Sequence, residues 1–264
     1  MIDMHNHVLY GVDDGAENLA DSLAMIEKAV SLGFDTLVLT PHYMTYRGYT
    51  AAPALCDRRM AEIETALLKD KVPVRLIAGN ELLYDYDLVR VFGAGKFRTI
   101  GATDYYLIET TRQGGSALAL QNFMHRLHQM GKKTILAHPE RYDFVQDDPN
   151  VLLDFMAAGT LIQGNYLSLL DYYDHTATAT LKIMLEHQMV QLMASDAHQV
   201  EGYALYPEAA AVGGQLIGKD VWQRLMTDHP RAVLANGCIA AEPMPYKKPA
   251  IKTAIGNPGG WISW

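Results

Sequence analysis

Short apolar runs alternate with longer amphipathic stretches along nearly the whole chain. Seven runs have strand character: residues 2–8, 36–42, 74–82, 105–110, 133–138, 160–165 and 190–196. Most are aliphatic or β-branched and nearly continuous, as expected of parallel strands buried on both faces. Between them, apolar residues recur at spacings of three and four. That period predicts helices over 19–32, 53–68, 116–130, 149–158, 176–187, 207–212, 219–226 and 230–236. Gly33, Gly131 and Gly159 follow three of these stretches, and Pro53 opens another at a first helical position. Strands and helices alternating in this way predict an α/β fold of repeated βα units. Seven strands favour a closed or nearly closed barrel over an open sheet. No repeat or linker divides the chain. Residues 1–241 read as one barrel domain, and 242–264, with several Pro and Gly and no period, read as a C-terminal extension. On it, Trp261 and Trp264 are placed to dock on the surface or on a partner.

The polar residues that interrupt the pattern gather at the ends of the predicted strands. His5 and His7 close the first, two residues apart and therefore on one face. His42 closes the second, Glu81 and Glu109 end the third and fourth, His138 closes the fifth, and Asp196 and His198 close the seventh. Asp14 sits in the loop after the first strand. In a βα barrel the C-terminal strand ends meet at one mouth, where catalysis occurs. Any one of these residues has a structural explanation, such as a satisfied buried histidine. Gathering all nine in one place is costly unless something compensates their charge. The prominence of imidazole suits Zn, Mn or Fe. Nine ligands exceed the needs of one catalytic zinc and suffice for two or three ions with bridging carboxylates.

Composition narrows the function further. The chain has 264 residues, an ordinary length for one α/β barrel, and is 49% hydrophobic, enough for a large core. Its formal net charge of −8 carries no nucleic-acid footprint. An acidic protein that binds an anion needs local positive charge, and clustered divalent ions supply it. No signal peptide and no run of spanning length is visible, so the expected location is cytoplasmic. Competing motifs fail. Gly218-Lys219 is followed by Asp220 where a phosphate-binding loop needs Ser or Thr, and no Gly-x-Ser-x-Gly elbow occurs. Neither Cys56 nor Cys238 has an arginine six positions later, as a cysteine-nucleophile phosphatase needs; Glu62 and Met244 stand there. Arg141, three residues after His138, is either a guanidinium fork for phosphate or a rim salt bridge. Arg47 reads first as a solvated charge. His125, His128, His175, His187 and His229 read as surface residues.

Met1-Ile-Asp-Met-His5-Asn-His7, followed by Asp13-Asp14-Gly15, resembles the opening of the polymerase and histidinol phosphatase (PHP) superfamily. Thr40-Pro-His42, Gly79-Asn-Glu81, Leu107-Ile-Glu109, Ala137-His138-Pro-Glu-Arg141-Tyr142 and Ala194-Ser195-Asp196-Ala-His198 extend the match in order. Within the superfamily the sequence most resembles the CpsB/CapC-type tyrosine phosphatases of bacterial capsule and exopolysaccharide synthesis, over about residues 1–236. The resemblance implies a distorted (β/α)7 TIM-like barrel of the PHP type with a three-ion site, manganese being favoured and Fe or Zn alternatives. The implied metal ligands are His5, His7, Asp14, His42, Glu81, Glu109, His138, Asp196 and His198, and Arg141 matches the arginine that contacts phosphate. The implied substrate is phosphotyrosine in the tail of a partner bacterial tyrosine kinase, hydrolysed by direct attack of cation-activated water. The family often carries a second arginine shortly after the last ligand. Gly202-Tyr203-Ala204 stands there instead, and Arg47 is the candidate substitute. A histidinol-phosphate phosphatase on the same scaffold is the alternative enzyme, and an inactive metal-stabilised interaction module the alternative of another class. Glu109, where amidohydrolases often carry a bridging lysine, argues against that group. No nucleic acid and no membrane insertion are expected; an oligomer is left open.

Overall fold

The computed structural model describes residues 1–248. Trp261, Trp264 and most of the expected extension lie outside the described residues. The strands are β1 (Ile2–Asn6), β2 (Thr36–Leu39), β3 (His42–Tyr43), β4 (Arg75–Ala78), β5 (Glu81–Leu83), β6 (Tyr105–Glu109), β7 (Lys133–Ala137), β8 (Leu161–Asn165) and β9 (Leu192–Ala194). The α-helices are α1 (Leu19–Ser31), α2 (Pro53–Asp70), α3 (Tyr86–Val91), α4 (Ala117–Gln129), α5 (Asp143–Asp147), α6 (Val151–Ala157), α7 (His175–Glu186), α8 (Val200–Ala204), α9 (Tyr206–Ile217), α10 (Lys219–Gln223) and α11 (His229–Leu234). All strand pairs are parallel, in two ladders ordered β1-β2-β4 and β3-β5-β6-β7-β8-β9.

The expected second and third strands are each broken in two. Pro41, which has no N–H to donate, separates β2 from β3, and Gly79-Asn80 separates β4 from β5. The interruptions are bridged. Gly79 N–H donates to Leu39 O (2.9 Å) and Glu81 N–H to Pro41 O (3.2 Å). Between the first and last strands, Asp196 N–H donates to His5 O and His7 N–H to Ala197 O, both at 2.9 Å.

Helix starts follow local chemistry. Asn18, Ser116 and Asp174 cap α1, α4 and α7, each side chain accepting from the N–H three residues on. The helices pack their apolar stripes, such as Met25, Ile26 and Ala29 of α1, onto outward strand residues such as Leu37, Ile108 and Ile162. A separate apolar cluster fills the space between the strands: Ile2, Met4, Val38, Ile77, Tyr105, Leu107, Ile135, Leu161 and Leu192 are among its members. Several elements depart from the sequence expectation. Helices α3, α5 and α8 are additional, and α9 runs five residues past the predicted end at 212. His128, His187 and His229 are half-buried rather than surface residues; His229 Nδ1–H, for example, donates to Gln191 O at 2.7 Å. The described start of the extension packs back on the domain, with Tyr246 N–H donating to Asn150 Oδ1 at 2.7 Å.

Candidate metal centre

The nine expected ligands converge above the inner apolar cluster. Seven are buried; His198 is half-buried and Asp14 exposed at the edge. Eight of them form three overlapping groups, each with its ligand atoms within 4.8 Å of one another: His5, His7, Glu81 and Asp196; His42, Glu81 and Glu109; and His7, Asp14, His42 and His198. In the first, His5 Nε2 and His7 Nε2 both face Glu81 Oε2 (3.1 and 3.4 Å) and Asp196 Oδ1 (3.4 and 3.2 Å). In the second, His42 Nδ1 lies 2.9 Å from Glu81 Oε2 and 3.1 Å from Glu109 Oε1. In the third, His42 Nε2 and His198 Nε2 each lie 3.5 Å from Asp14 Oδ1. His138 stands outside these groups, with Nε2 2.8 Å from Glu81 Oε1.

The backbone is shaped to bring these side chains in. The register of β1 against β2 shifts between Asp3 and Asn6. Such an irregularity re-aims side chains, and here Met4 stays in the apolar cluster while His5 and His7 turn to the centre. Gly15 lets the loop carrying Asp14 lie on His7; a Cβ there would collide with the His7 carbonyl and Cβ. His138 and Asp196 both adopt left-handed backbone, at φ 34° and 50°. This region is uncommon for non-glycine residues.

Three observations show that the centre suits divalent cations. Glu81 Oε2, Glu109 Oε1 and His42 Nδ1 are buried yet have no hydrogen-bond partner among the described residues. They crowd one another at 2.9 and 3.1 Å, an approach that only a shared positive charge, a proton or a cation, makes favourable. Second, the donor set is imidazole and carboxylate, as first-row divalent ions prefer. Third, His5, His7 and His42 are pushed toward protonation. Burial works against the charged form of His42, but Glu81 and Glu109 overcome it and push its pKa up to about 11. Glu81 and Asp196 are likewise held well below the usual carboxylate range by facing histidines, despite burial.

The two expected arginines differ. Arg141 is buried rather than at the rim. One guanidinium nitrogen donates to Asp196 Oδ2 at 2.9 Å, and the group lies 3.9 Å above the Tyr173 ring. Arg47 is exposed and pairs with Asp14 at 3.2 Å. Both line a cavity of about 450 Å³ over the ligands, together with Tyr46, Glu109, Arg112, His138, Asp196 and His198. Arg112, unnoticed in the sequence, is exposed and makes no ion pair among the described residues. Asp13, quoted in the sequence only as part of the opening motif, has a role of its own. Its carboxylate accepts from His7 Nδ1–H (2.8 Å) and His42 N–H (2.9 Å), leaving His7 Nε2 for the centre. Gln163 and Asn165 lie inward on β8 beside Asp196 and His5. Two amides at period two in an otherwise apolar buried strand were the signal for them.

Comparison with known proteins fits this site. Tyrosine-protein phosphatase YwqE of Bacillus subtilis is 28% identical over 94% of this chain and 97% of its own length. CpsB of Streptococcus pneumoniae is 24% identical over 90% of this chain and all of its own. A solved structure described as YwqE from Bacillus subtilis and CpsB from Streptococcus pneumoniae, "unique metal-dependent tyrosine phosphatases", superposes with a TM-score of 0.86. It shares 27% identity and covers 94% of this chain and 100% of its own. The phosphotriesterase of Mycobacterium tuberculosis shares the fold alone, at a TM-score of 0.57 and 12% identity over 90% of this chain and 95% of its own. Residues 1–235 match the family described as "Capsular polysaccharide synthesis, CpsB/CapC", and the chain belongs to that family.

Proposed function

We propose that this protein is a metal-dependent protein-tyrosine phosphatase whose nine His, Asp and Glu ligands hold three divalent cations, manganese by preference. The observation that carries this reading is the overlap of three ligand groups beneath a cavity that also contains Arg141. His5, His7, Glu81 and Asp196 would hold one ion, His42, Glu81 and Glu109 a second, and His7, Asp14, His42 and His198 a third, with His138 completing the set through its position beside Glu81. His7, His42 and Glu81 each occur in two groups, so their final assignment follows the ions. Bound cations would supply Lewis acidity, activating water and neutralising phosphate oxygens.

The chain's own residues do the rest. Arg141 offers its remaining guanidinium N–H groups to the phosphate, and its Tyr173 stack fixes the plane of the fork. Tyr46, Arg47 and Arg112 border the cavity where it opens to solvent, a suitable mouth for a tyrosine side chain presented on a peptide. The phenolate leaving group of phosphotyrosine departs without a dedicated acid, and no covalent phospho-enzyme is required. The closed (β/α)7 barrel over residues 1–241 belongs to the same reading, supported by the bonds joining His5 and His7 to the segment after β9. So does the substrate, a phosphotyrosine tail of a partner bacterial tyrosine kinase; the family's description, capsular polysaccharide synthesis, supports the setting in which such a kinase would act.

Prolonged chelation should abolish hydrolysis of a phosphotyrosine peptide, and added Mn²⁺ should restore it. Full activity in metal-free protein would refute the cation chemistry. A large preference for histidinol phosphate would move the assignment to the small-substrate alternative.

A further inference from the structure

β8 supplies none of the nine ligands, yet its inward side chains touch two of them. Asn165 Nδ2 donates to Asp196 Oδ2 at 2.7 Å, Gln163 Nε2 donates to Asn165 Oδ1 at 2.8 Å, and Gln163 Oε1 lies 2.8 Å from His5 Nδ1. All four side chains are buried. The direction of this chain follows from elementary donor chemistry. An ionised carboxylate only accepts, so Asn165 must present its NH₂ to Asp196 and its oxygen to Gln163. Gln163 must then present its NH₂ to Asn165 and its oxygen to His5. His5 therefore carries a proton on Nδ1, which frees the Nε2 lone pair to face Glu81 and Asp196. The same contacts sort the oxygens of Asp196. Oδ2 accepts from Arg141, Asn165 and Tyr173, at 2.9, 2.7 and 3.4 Å, while Oδ1 faces His5 and His7.

We infer that Gln163 and Asn165 are positioning residues. They form an amide relay that transmits the acceptor character of Asp196 to His5 and holds both ligands in their cation-binding orientation. The relay links the last strand to the first through a strand that binds nothing itself. This inference rests on the metal-centre reading above. Partners that orient a ligating histidine typically change metal affinity about 10- to 100-fold when removed.

The test measures cation binding rather than turnover. Mn²⁺ is titrated calorimetrically into metal-free wild type, Gln163→Met, Gln163→Glu and Asn165→Ala, at a temperature where each is folded by circular dichroism. Gln163→Met keeps the length of the side chain and loses both hydrogen bonds. It should weaken Mn²⁺ binding about 10- to 100-fold. Gln163→Glu keeps an acceptor for His5 and should recover much of that loss. Asn165→Ala leaves Gln163 in place but severs it from Asp196, and should weaken binding in the same direction; it serves alone if the methionine variant does not fold. In Zn²⁺-loaded protein, nitrogen NMR should show an exchange-protected His5 Nδ1–H in wild type that is lost in Gln163→Met. Wild-type Mn²⁺ affinity in Gln163→Met, or in a folded Asn165→Ala, would overturn the relay while leaving the metal centre standing. A wild-type protein that binds no Mn²⁺ or Zn²⁺ would overturn both.

Discussion

The inner faces of the strands carry two opposite environments within a few residues of each other. On β6, Tyr105 and Leu107 belong to the apolar cluster, and Glu109, two positions on, belongs to the candidate centre. On β8, Leu161 is apolar and Gln163 and Asn165 are polar; beyond β9, Leu192 and Ala194 are followed by Asp196. The lower layer gains free energy on folding, about 1.5–3 kcal/mol for each large apolar side chain fully buried. The upper layer does the reverse. Burying an ionised group costs several kcal/mol before its partners repay it. One end of each strand therefore holds the fold together, and the other end is held in place by it. That division makes the two layers separable by experiment.

The largest difference should appear at Arg141. Replacing it with alanine should retain bound metal and slow phosphotyrosine hydrolysis by about 30- to 1,000-fold, corresponding to ~2–4 kcal/mol of lost transition-state stabilisation. His138→Ala should instead lose metal and activity together. Near-wild-type turnover in Arg141→Ala, with metal content unchanged, would reduce the arginine to a structural partner of Asp196. In the lower layer, Leu107→Ala should cost about 2–5 kcal/mol of stability in urea unfolding. The folded, metal-loaded variant should keep its activity within a few-fold. An equal loss of both properties would mean that the layers are not independent.

The pH dependence should also separate metal-free from metal-loaded protein. The folded pKa of His42 is pushed up to about 11, above its unfolded value of about 6.5. Its contribution to stability is thus complete below about pH 6.5 and declines as pH rises toward that folded value. Glu81 and Asp196 are shifted the other way, so their contributions are present above about pH 4 and decline as pH falls. Metal-free protein should therefore lose stability above about pH 6.5. In loaded protein, cations displace these protons, so stabilisation by metal should grow with pH over the same range. Denaturant unfolding at several pH values checks this, and parallel profiles for the two forms would contradict it. The smallest effect is expected at the cysteines. Cys56 is buried, which raises its thiol pKa, and Cys238 is exposed; neither belongs to a ligand group. Changing both to serine should leave turnover within a few-fold; complete loss in a folded variant would restore a thiolate mechanism.

The convergence of these side chains was readable because strand ends meet in a βα fold, so His42, Glu81, Glu109 and His138 could be placed together before any contact was seen. What connects those residues was not readable in the same way. The breaks at Pro41 and Gly79-Asn80 interrupt apolar runs that look continuous, since neither disturbs hydrophobicity. Helices α3, α5 and α8 have only five or six residues, too few for a period of 3.6 to register. Arg141 was correctly placed near His138, but its partner is 55 residues away in sequence and no local signal names it. Gln163 and Asn165 looked unremarkable because an amide gains meaning from its partners, and theirs lie on β1 and beyond β9.

The left-handed backbone at His138 and Asp196 bears on any attempt to transplant this centre. Copying the nine side chains onto another βα scaffold would reproduce their chemistry but not the two bends that aim them. Each bend is unfavourable for an L-residue by roughly 1–2 kcal/mol, and a host strand would relax toward extended geometry. His138 would then follow the alternation of β7, in which Ile135 and Ala137 face the apolar cluster, and turn away from the centre. A working graft must carry backbone segments, 137–142 and 194–198 at least, as rigid inserts.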